Sequence, residues 1–188
     1  ARFVLDYMQR DGTLQRIWID GAAAEHAFLD DHAYLAVGLL DLYEATFELE
    51  WLRAASGLQE ALARDFWDVE GGGFFQTSGA REVTLVRDKP DQDGALPSGN
   101  AVAIEGLLRL AELTGDDRWR ARADDALRAL GPSIGRAPAL LAALEARLDQ
   151  AKEIVIVRPG ADDLRTAELL AKVRAAYLPN HVLTVATE

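Results

Sequence analysis

Two stretches of the chain repeat each other at a spacing of 68 residues, and this repeat constrains the fold more than any other feature. Residues 38–42 read GLLDL and residues 106–110 read GLLRL. Trp51 follows the first copy at the same offset at which Trp119 follows the second. Repetition over such a length is typical of architectures in which similar helical units stack side by side.

Each copy begins with a helix that is apolar around most of its circumference. Residues 33–48 and 101–113 form these two segments, and each segment carries one polar stripe. A helix that is apolar nearly all round is buried nearly all round, so we expect both helices to be internal. The stripes consist of Asp41, Glu44 and Glu48 in the first copy and of Glu105, Arg109 and Glu112 in the second.

Each copy continues with a helix of a different character. Residues 49–65 and 116–130 place their apolar side chains on one face, which indicates helices with one side in water. Ser98 and Asp116 are good N-caps for their helices, and Gly115 is a good C-cap. Alternation of buried and half-exposed helices predicts a mainly α fold of helical hairpins, with an inner and an outer ring.

Short extended segments accompany the predicted hairpins. Residues 3–8 read as the end of a helix, residues 11–12 as a turn, and residues 14–19 as a strand or hairpin. After the glycine turn at residues 71–73, residues 74–77 read as another short strand.

The chain changes character near residue 150. Residues 153–157 form a β-branched apolar run, which reads as a strand with both faces covered. A helix is expected from Asp162 or Asp163 to about Tyr177, followed by a second strand at residues 181–185. Such a connection predicts parallel strands. We therefore divide the chain into a hairpin region, residues 1–150, and a small β-α-β extension, residues 151–188.

Charge and composition exclude several classes of function. The net charge of −11 argues against nucleic acid or an anionic membrane as a partner, because both need clustered Lys and Arg. The absence of cysteine excludes disulfides, thiol catalysis and cysteine-bound metals within the chain. No apolar run approaches the ~20 residues that cross a bilayer, and no signal peptide is visible. We expect a cytoplasmic protein without a cofactor.

Polar residues gather where the two apolar helices begin. Asp30, Asp31 and His32 lie at the start of the first helix, and Ser98 and Asn100 hold the matching place in the second. In a ring of hairpins these helix starts can meet at one end of the ring, here called the mouth, where the helix dipoles stabilise negatively charged carboxylates. Asp30 and Asp31 are therefore candidate acids and bases for sugar chemistry, with the other three binding the sugar. Simple helix capping is the alternative.

A loop of mixed charge leads into the second helix start. Its charged residues are Arg87, Asp88, Lys89, Asp91 and Asp93. Such a loop can bind a polar ligand or close over it, so Asp93 is a further catalytic candidate and Lys89 a candidate for substrate binding. The alternative is a solvated loop, since surface loops are often charged.

Aromatic and histidine residues offer two further hypotheses. Trp67 lies beside the glycine turn and is a candidate platform for stacking on a sugar, with ordinary packing as the alternative. His26 and His32 flank Asp30 and Asp31, but a metal site needs three or four ligands of fixed geometry, and HxxxDDH is not a known ligand spacing. We therefore expect no metal.

Several segments together resemble the barrel part of the spermatogenesis-associated protein 20 family. They read AFLDDHAYLAVGLLDLYEATFE at residues 27–48, FWDVEGGGFFQT at 66–77 and VRDKPDQDGALPSGNAVAIEGLLRLAELTGD at 86–116, with LPN at 178–180. The patterns DGAxPSGN and GGGFFxT are specific. His32 departs from the family pattern, in which a tyrosine is expected, and this puts the role of that position in doubt.

The resemblance implies a fold and two classes of function. Members of the family combine an N-terminal thioredoxin-like domain with a C-terminal (α/α) barrel, similar to the N-acylglucosamine 2-epimerase and six-hairpin glycosidase folds. This chain would be a fragment of a longer protein, forming a partial toroid from the C-terminal part of the barrel. The expected function is carbohydrate processing or sugar isomerisation by carboxylates, and the alternative is a non-catalytic scaffold for the thioredoxin-like domain. Exposed inner helices would favour self-association.

Overall fold

The computed structural model describes residues 1–10, 13–79, 86–160 and 163–187, so the turn predicted at residues 11–12 lies outside the described residues. The helices are α1 (Arg2–Tyr7), α2 (Leu29–Thr46), α3 (Leu49–Asp65), α4 (Gly99–Thr114), α5 (Asp117–Leu130), α6 (Pro138–Leu148) and α7 (Leu164–Ala175), with a 3₁₀ turn at Gly131–Arg136. The strands are β1 (Gln9–Arg10), β2 (Thr13–Ile19), β3 (Ala22–His26), β4 (Lys152–Arg158) and β5 (His181–Thr187).

Two helical hairpins, α2–α3 and α4–α5, form the centre of the molecule and follow the 68-residue repeat. The helix α4 packs against α2, α5 and α6, and most of its side chains are buried. In the outer helices, Trp51 and Trp119 are both buried, and Ala55 and Ala123 are fully enclosed. The predicted mainly α architecture of helical hairpins is confirmed.

The inner helices α2, α4 and α6 begin at the same end of the molecule. Asp93 joins two of these starts, because its carboxylate accepts hydrogen bonds from the Ser98 N–H and the Ala139 N–H, each at 2.8 Å. The Tyr34 hydroxyl of α2 donates to the Pro97 carbonyl just before α4, at 2.9 Å. Neighbouring inner helices therefore run parallel and place repeat-equivalent residues side by side.

The β-α-β extension covers the opposite end of the inner helices. Strands β4 and β5 pair in parallel, as predicted. The Tyr43 hydroxyl near the end of α2 lies 2.6 Å from Thr184 Oγ1 of β5, and the Asn180 side chain donates to the Ala146 carbonyl of α6 at 3.0 Å. The prediction that both faces of β4 are covered is wrong, because Val155 and Val157 are 57% and 58% exposed.

Several predicted boundaries also differ from the structure. The helix α2 begins at Leu29, four residues before the apolar stretch that starts at residue 33, and its first N–H donates to the Gln76 carbonyl. Residues 74–77 form an isolated bridge between Phe74 and Trp67 rather than a strand. The alanine-rich segment after Gly21 contains β3, which pairs with β2 through a turn whose residues Asp20 and Gly21 both have positive φ.

The two repeat-equivalent glycines, Gly38 in α2 and Gly106 in α4, have different surroundings. A Cβ atom on Gly106 would overlap the side-chain nitrogen of Gln59, a fully buried residue of α3 that donates to the Ala103 carbonyl at 3.2 Å. A Cβ atom on Gly38 would meet nothing within 4 Å. The close approach of α3 to α4 therefore depends on glycine in the second copy only.

We predict opposite effects of alanine at these two positions. Gly106→Ala should lower the free energy of unfolding by ~1–3 kcal/mol, because the new methyl group displaces the buried Gln59 amide from its bond to the Ala103 carbonyl. Gly38→Ala should be neutral or stabilising by up to ~1 kcal/mol, because alanine is the better helix former. Urea unfolding of both variants measures this, and a loss of equal size at both positions would contradict the packing described.

Candidate functional site

The start of α2 is held by Asp31 and by a neighbouring loop. Asp31 Oδ2 accepts a hydrogen bond from the Phe28 N–H at 2.8 Å, and Arg16 Nε lies 3.8 Å from the same oxygen. The Leu29 N–H donates to the Gln76 carbonyl at 3.1 Å. Asp31 therefore closes the first turn of the helix, which is the capping alternative raised from the sequence.

Asp30 points from α2 across the start of α4. Its Oδ2 accepts a hydrogen bond from the Gln76 side-chain amide at 3.1 Å. Its Oδ1 occupies the space that a Cβ atom on Gly99 would need, so only glycine at that position lets the carboxylate lie there. The first turns of the two inner helices thus meet at Asp30.

Asn100 is fully buried and ties α4 to two loops. Its side-chain oxygen accepts from the Phe74 N–H, and its side-chain nitrogen donates to the carbonyls of Phe74 and Pro90, with all three distances 2.8 Å. Ser98 is the N-cap, and its hydroxyl accepts from the Ala101 N–H at 3.2 Å. Both side chains are therefore engaged by the backbone at the mouth of the inner helices.

Lys89 and Trp67 lie on the outer side of the same mouth. The Lys89 ammonium donates to Asp68 Oδ2 and to the Gly72 carbonyl, both at 2.6 Å, and so fixes the glycine turn. The Lys89 ammonium is the main reason why the pKa of Asp68 is lowered to about 2. Trp67 stacks edge-on against Phe74 with ring centres 5.0 Å apart.

His32 faces the core rather than the mouth. Its side chain is 3% exposed, its Nδ1 lies 2.8 Å from the Phe28 carbonyl, and its ring packs 5.0 Å from that of Phe66. Burial lowers the pKa of His32, so the imidazole is neutral and Nδ1 carries the proton given to the carbonyl. This contact is consistent with a structural role at the position where the sequence departs from the family pattern.

A cavity of about 760 Å³ runs along the inner helices from the mouth towards the β-α-β extension. Its walls come from α2, α4 and α6, with parts of β4 and β5 at the far end. Small side chains of α6 leave it open, and the polar stripe of α4 faces into it together with Asp41 and Glu44 of α2. Glu48, the third residue of the first stripe, pairs with Arg2 instead. The main polar lining residues are Asp41, Glu44, Glu105, Arg109, Glu112, Arg120 and Arg147.

Three carboxylates share the guanidinium of Arg109 in this cavity. Arg109 lies 2.7 Å from Asp41, 3.3 Å from Glu44 and 3.8 Å from Glu105. Burial raises the pKa of Glu44 and outweighs the opposing attraction of Arg109. Burial likewise raises the pKa of Glu105, although its side chain is 51% exposed, because the concave wall removes solvent around it. Carboxylates of this kind can hold a proton for acid catalysis.

Tyr34 lies beside the starts of α2 and α4, where its hydroxyl donates to the Pro97 carbonyl. Burial raises the pKa of this hydroxyl, and the negative charges of Asp30, Asp93 and Glu105 raise it further. Pro97 also lines the cavity, whereas the catalytic candidates Asp30, Asp31 and Asp93 are not among its lining residues.

The structure gathers the predicted residues at one end but uses many of their polar atoms to satisfy backbone groups. Asp30, Asp31, Asp93, Ser98, Asn100, Lys89 and Trp67 all lie around the starts of the inner helices. Their roles in catalysis or substrate binding stay predictions. The sequence analysis missed Glu105 and Arg109 as site residues. Their signal was present, because a polar stripe on a helix that is otherwise buried must face an internal cavity or a partner.

The described part of the chain shows neither a metal-binding cluster nor a membrane-spanning helix. Residues 1–10, 13–79, 86–160 and 163–187 contain no group of three or more acidic or histidine side chains arranged to hold a metal ion. Among the helices within the same ranges, none combines the length and the apolar character needed to cross a membrane.

Known proteins match the chain at the level of sequence. No protein-family model matches. Spermatogenesis-associated protein 20 of Rattus norvegicus is 42% identical over 165 residues, which cover 85% of this chain and 21% of that protein. The Homo sapiens protein of the same name is 39% identical over 179 residues, which cover 88% of this chain and 22% of that protein. The resemblance to the spermatogenesis-associated protein 20 family is confirmed. The chain spans about a fifth of the length of these relatives.

A solved structure matches the fold. The glycoside hydrolase family 76 mannosidase Bt3792 of Bacteroides thetaiotaomicron superposes with a TM-score of 0.52 over 69% of this chain and 35% of that one, at 16% identity. At this identity the match concerns the fold alone. It confirms the glycosidase-like (α/α)-barrel architecture expected from resemblance to the spermatogenesis-associated protein 20 family.

We predict that Glu105→Gln stabilises the protein at neutral pH. A folded-state pKa above the ordinary 4.5 means that the fold favours the protonated carboxyl group. The contribution of Glu105 to the free energy of unfolding is therefore most favourable below pH 4.5, and it is lost as the pH rises through the folded-state pKa. The variant should melt ~1–2 °C higher at pH 7, a small gain because solvent screens a half-exposed group. The gain should vanish at acidic pH, where wild-type Glu105 is protonated.

The matched control for that experiment is Glu60→Gln on the outer helix α3. Glu60 is exposed and lies outside the cavity, so its replacement should leave the melting temperature nearly unchanged at each pH. A Glu105→Gln variant that melts lower than wild type at pH 7 would show that the pairing with Arg109 outweighs the cost of burial.

We predict that Asn100→Asp is strongly destabilising. The carboxylate cannot donate to the carbonyls of Phe74 and Pro90, and it places a charge where no solvent reaches. The expected loss is ~3 kcal/mol or more, because two buried acceptors lose their donor. Ser98→Ala, which removes one capping bond nearby, should cost only ~1 kcal/mol. Equal urea midpoints for wild type and Asn100→Asp would contradict the structural role of this amide.

Proposed function

We propose that the chain forms part of the wall of a carbohydrate-processing barrel whose ligand lies in the cavity between α2, α4 and α6. The observation that carries the proposal is Glu105, a half-accessible carboxyl group with a raised pKa on the inner face of a glycosidase-like fold. The mannosidase named above shares that fold, and its substrate class is extended to this chain only as part of the proposal.

In the proposed reaction, Glu105 and Asp30 transfer protons. Glu105 acts as the general acid, because burial keeps it protonated to higher pH than an ordinary glutamate. Asp30 is the partner carboxylate at the mouth, where a single described donor, the Gln76 amide, reaches it. Asp31, Asp93, Ser98 and Asn100 position the helix starts around the sugar. Hydrolysis of a glycosidic bond needs two carboxyl groups ~5–9.5 Å apart, so on this proposal the sugar must bind within reach of both Asp30 and Glu105. Isomerisation of a sugar needs a general acid and a general base.

A second candidate function is a non-catalytic scaffold for a thioredoxin-like domain. It is favoured by the hydrogen bonds of Asp31, Asp93 and Asn100, whose side chains serve backbone groups at the helix starts. On this hypothesis the carboxylates of the cavity contribute charge and solubility only. Self-association is a related prediction, supported by the exposed apolar side chains Leu141 and Leu148 along α6.

A ligand screen distinguishes the two candidates. The melting temperature of the full-length natural protein would be measured with neutral monosaccharides, amino sugars, sugar phosphates and short mannose oligomers. A sugar that stabilises wild type by several degrees, but stabilises Glu105→Gln or Asp30→Asn less, would support the cavity as a sugar site. The Glu60→Gln control should respond like wild type. If no sugar shifts the melting temperature, the scaffold function is favoured instead.

A further inference from the structure

Resting on the proposed function, we infer that the cavity prefers a sugar bearing a free amino group and rejects phosphorylated or carboxylated sugars. The guanidinium groups of the cavity wall are paired with carboxylates, whereas some of the wall carboxylates stay accessible to a ligand.

The guanidinium groups that line the cavity are already neutralised. Arg109 pairs with Asp41 at 2.7 Å, and Arg120 pairs with Glu112 at 2.8 Å. Arg147 makes two bonds to Asp124, at 2.6 and 3.0 Å. Recognition of phosphate or carboxylate relies on arginine or lysine groups that can turn towards the ligand. Within the described lining, each arginine would have to give up a carboxylate to bind an anion.

Carboxylates outnumber the cations along the same wall. The lining includes Asp41, Glu44, Glu105, Glu112, Asp149 and Glu153, against the three arginines named above. An anionic ligand would enter a region of excess negative charge, and the low polarisability of the enclosing helices strengthens that repulsion. A cationic ligand would be attracted by the same excess of negative charge.

Two of these carboxylates are accessible and close enough to interact. The side chains of Asp41 and Glu105 are 66% and 51% exposed, and both share the guanidinium of Arg109. The negative charge of Asp41 disfavours ionisation of Glu105. Arg109 already lies between them, but an ammonium group that reaches their exposed sides would offset the remaining negative charge, which a hydroxyl group cannot do. The accessible pair therefore distinguishes an amino sugar from its neutral counterpart.

The remainder of the wall suits the body of a sugar ring. The helix α6 presents the small side chains Ala139, Ala142, Ala143 and Ala146, and α4 adds Leu108. A volume of about 760 Å³ lies within the range usual for small-molecule sites. Apolar contacts to the ring and polar contacts to its substituents are the usual combination in such sites.

The test compares sugars that differ only in charge, using the full-length natural protein. Glucosamine, galactosamine and mannosamine would each be titrated calorimetrically beside the matching neutral sugar and its 6-phosphate, at ~pH 6.5 so that the amine is charged. We expect an amino sugar to bind about tenfold more tightly than its neutral counterpart, and the phosphate at least about tenfold more weakly. The preference should shrink as salt is added.

Matched variants assign the preference to the cavity. Asp41→Asn and Glu105→Gln keep the side-chain shape and should each reduce the amine preference several-fold, whereas Glu60→Gln should preserve it. Equal affinity for amino and neutral sugars would overturn the inference and leave the proposed function standing. Tighter binding of a sugar phosphate would overturn it as well. Absence of binding by every sugar would remove both the inference and the proposed function.

Discussion

The N–H groups in the first turn of an α-helix have no partner within the helix, and three such helices begin at one end of this molecule. A short set of side chains satisfies them. Asp31 closes the start of α2, Ser98 caps α4, and Asp93 accepts from backbone groups of both α4 and α6. Two of the side chains at this end also join neighbouring helices: Asp93 links the start of α4 to that of α6, and the Tyr34 hydroxyl of α2 donates to the Pro97 carbonyl just before α4.

This constraint explains why the polar side chains at the helix starts, which the sequence marks as candidates, have few atoms left to bind a ligand. A carboxylate that accepts from two backbone amides, as Asp93 does, has little freedom to approach a ligand. The groups one or two turns further along the helices have no such duty. Glu105 therefore keeps accessible surface inside the cavity. It becomes a candidate acid because of the raised pKa that its surroundings produce, not because of its neighbours in sequence.

Much of the fold could be predicted from the sequence because its pattern is local. The repeat, the caps at Ser98 and Asp116 and the parallel β-α-β connection all depend on neighbours along the chain. The start of α2 at Leu29 could not be predicted, because the acceptor for its N–H comes from Gln76. The clustering of the candidate residues at one end of the molecule could be predicted in part. Helix starts are visible in a sequence, whereas the pairing of Arg109 with Asp41 exists only after two hairpins have packed.

The contact between Tyr43 and Thr184 joins residues 141 positions apart. Closing so long a loop has a larger entropy cost than forming a hairpin between helices that are neighbours in sequence. The order of folding follows from this difference: hairpins first, and the attachment of β5 late. During synthesis we therefore expect the far end of the cavity to stay open to solvent until β5 has been made and has packed against α2.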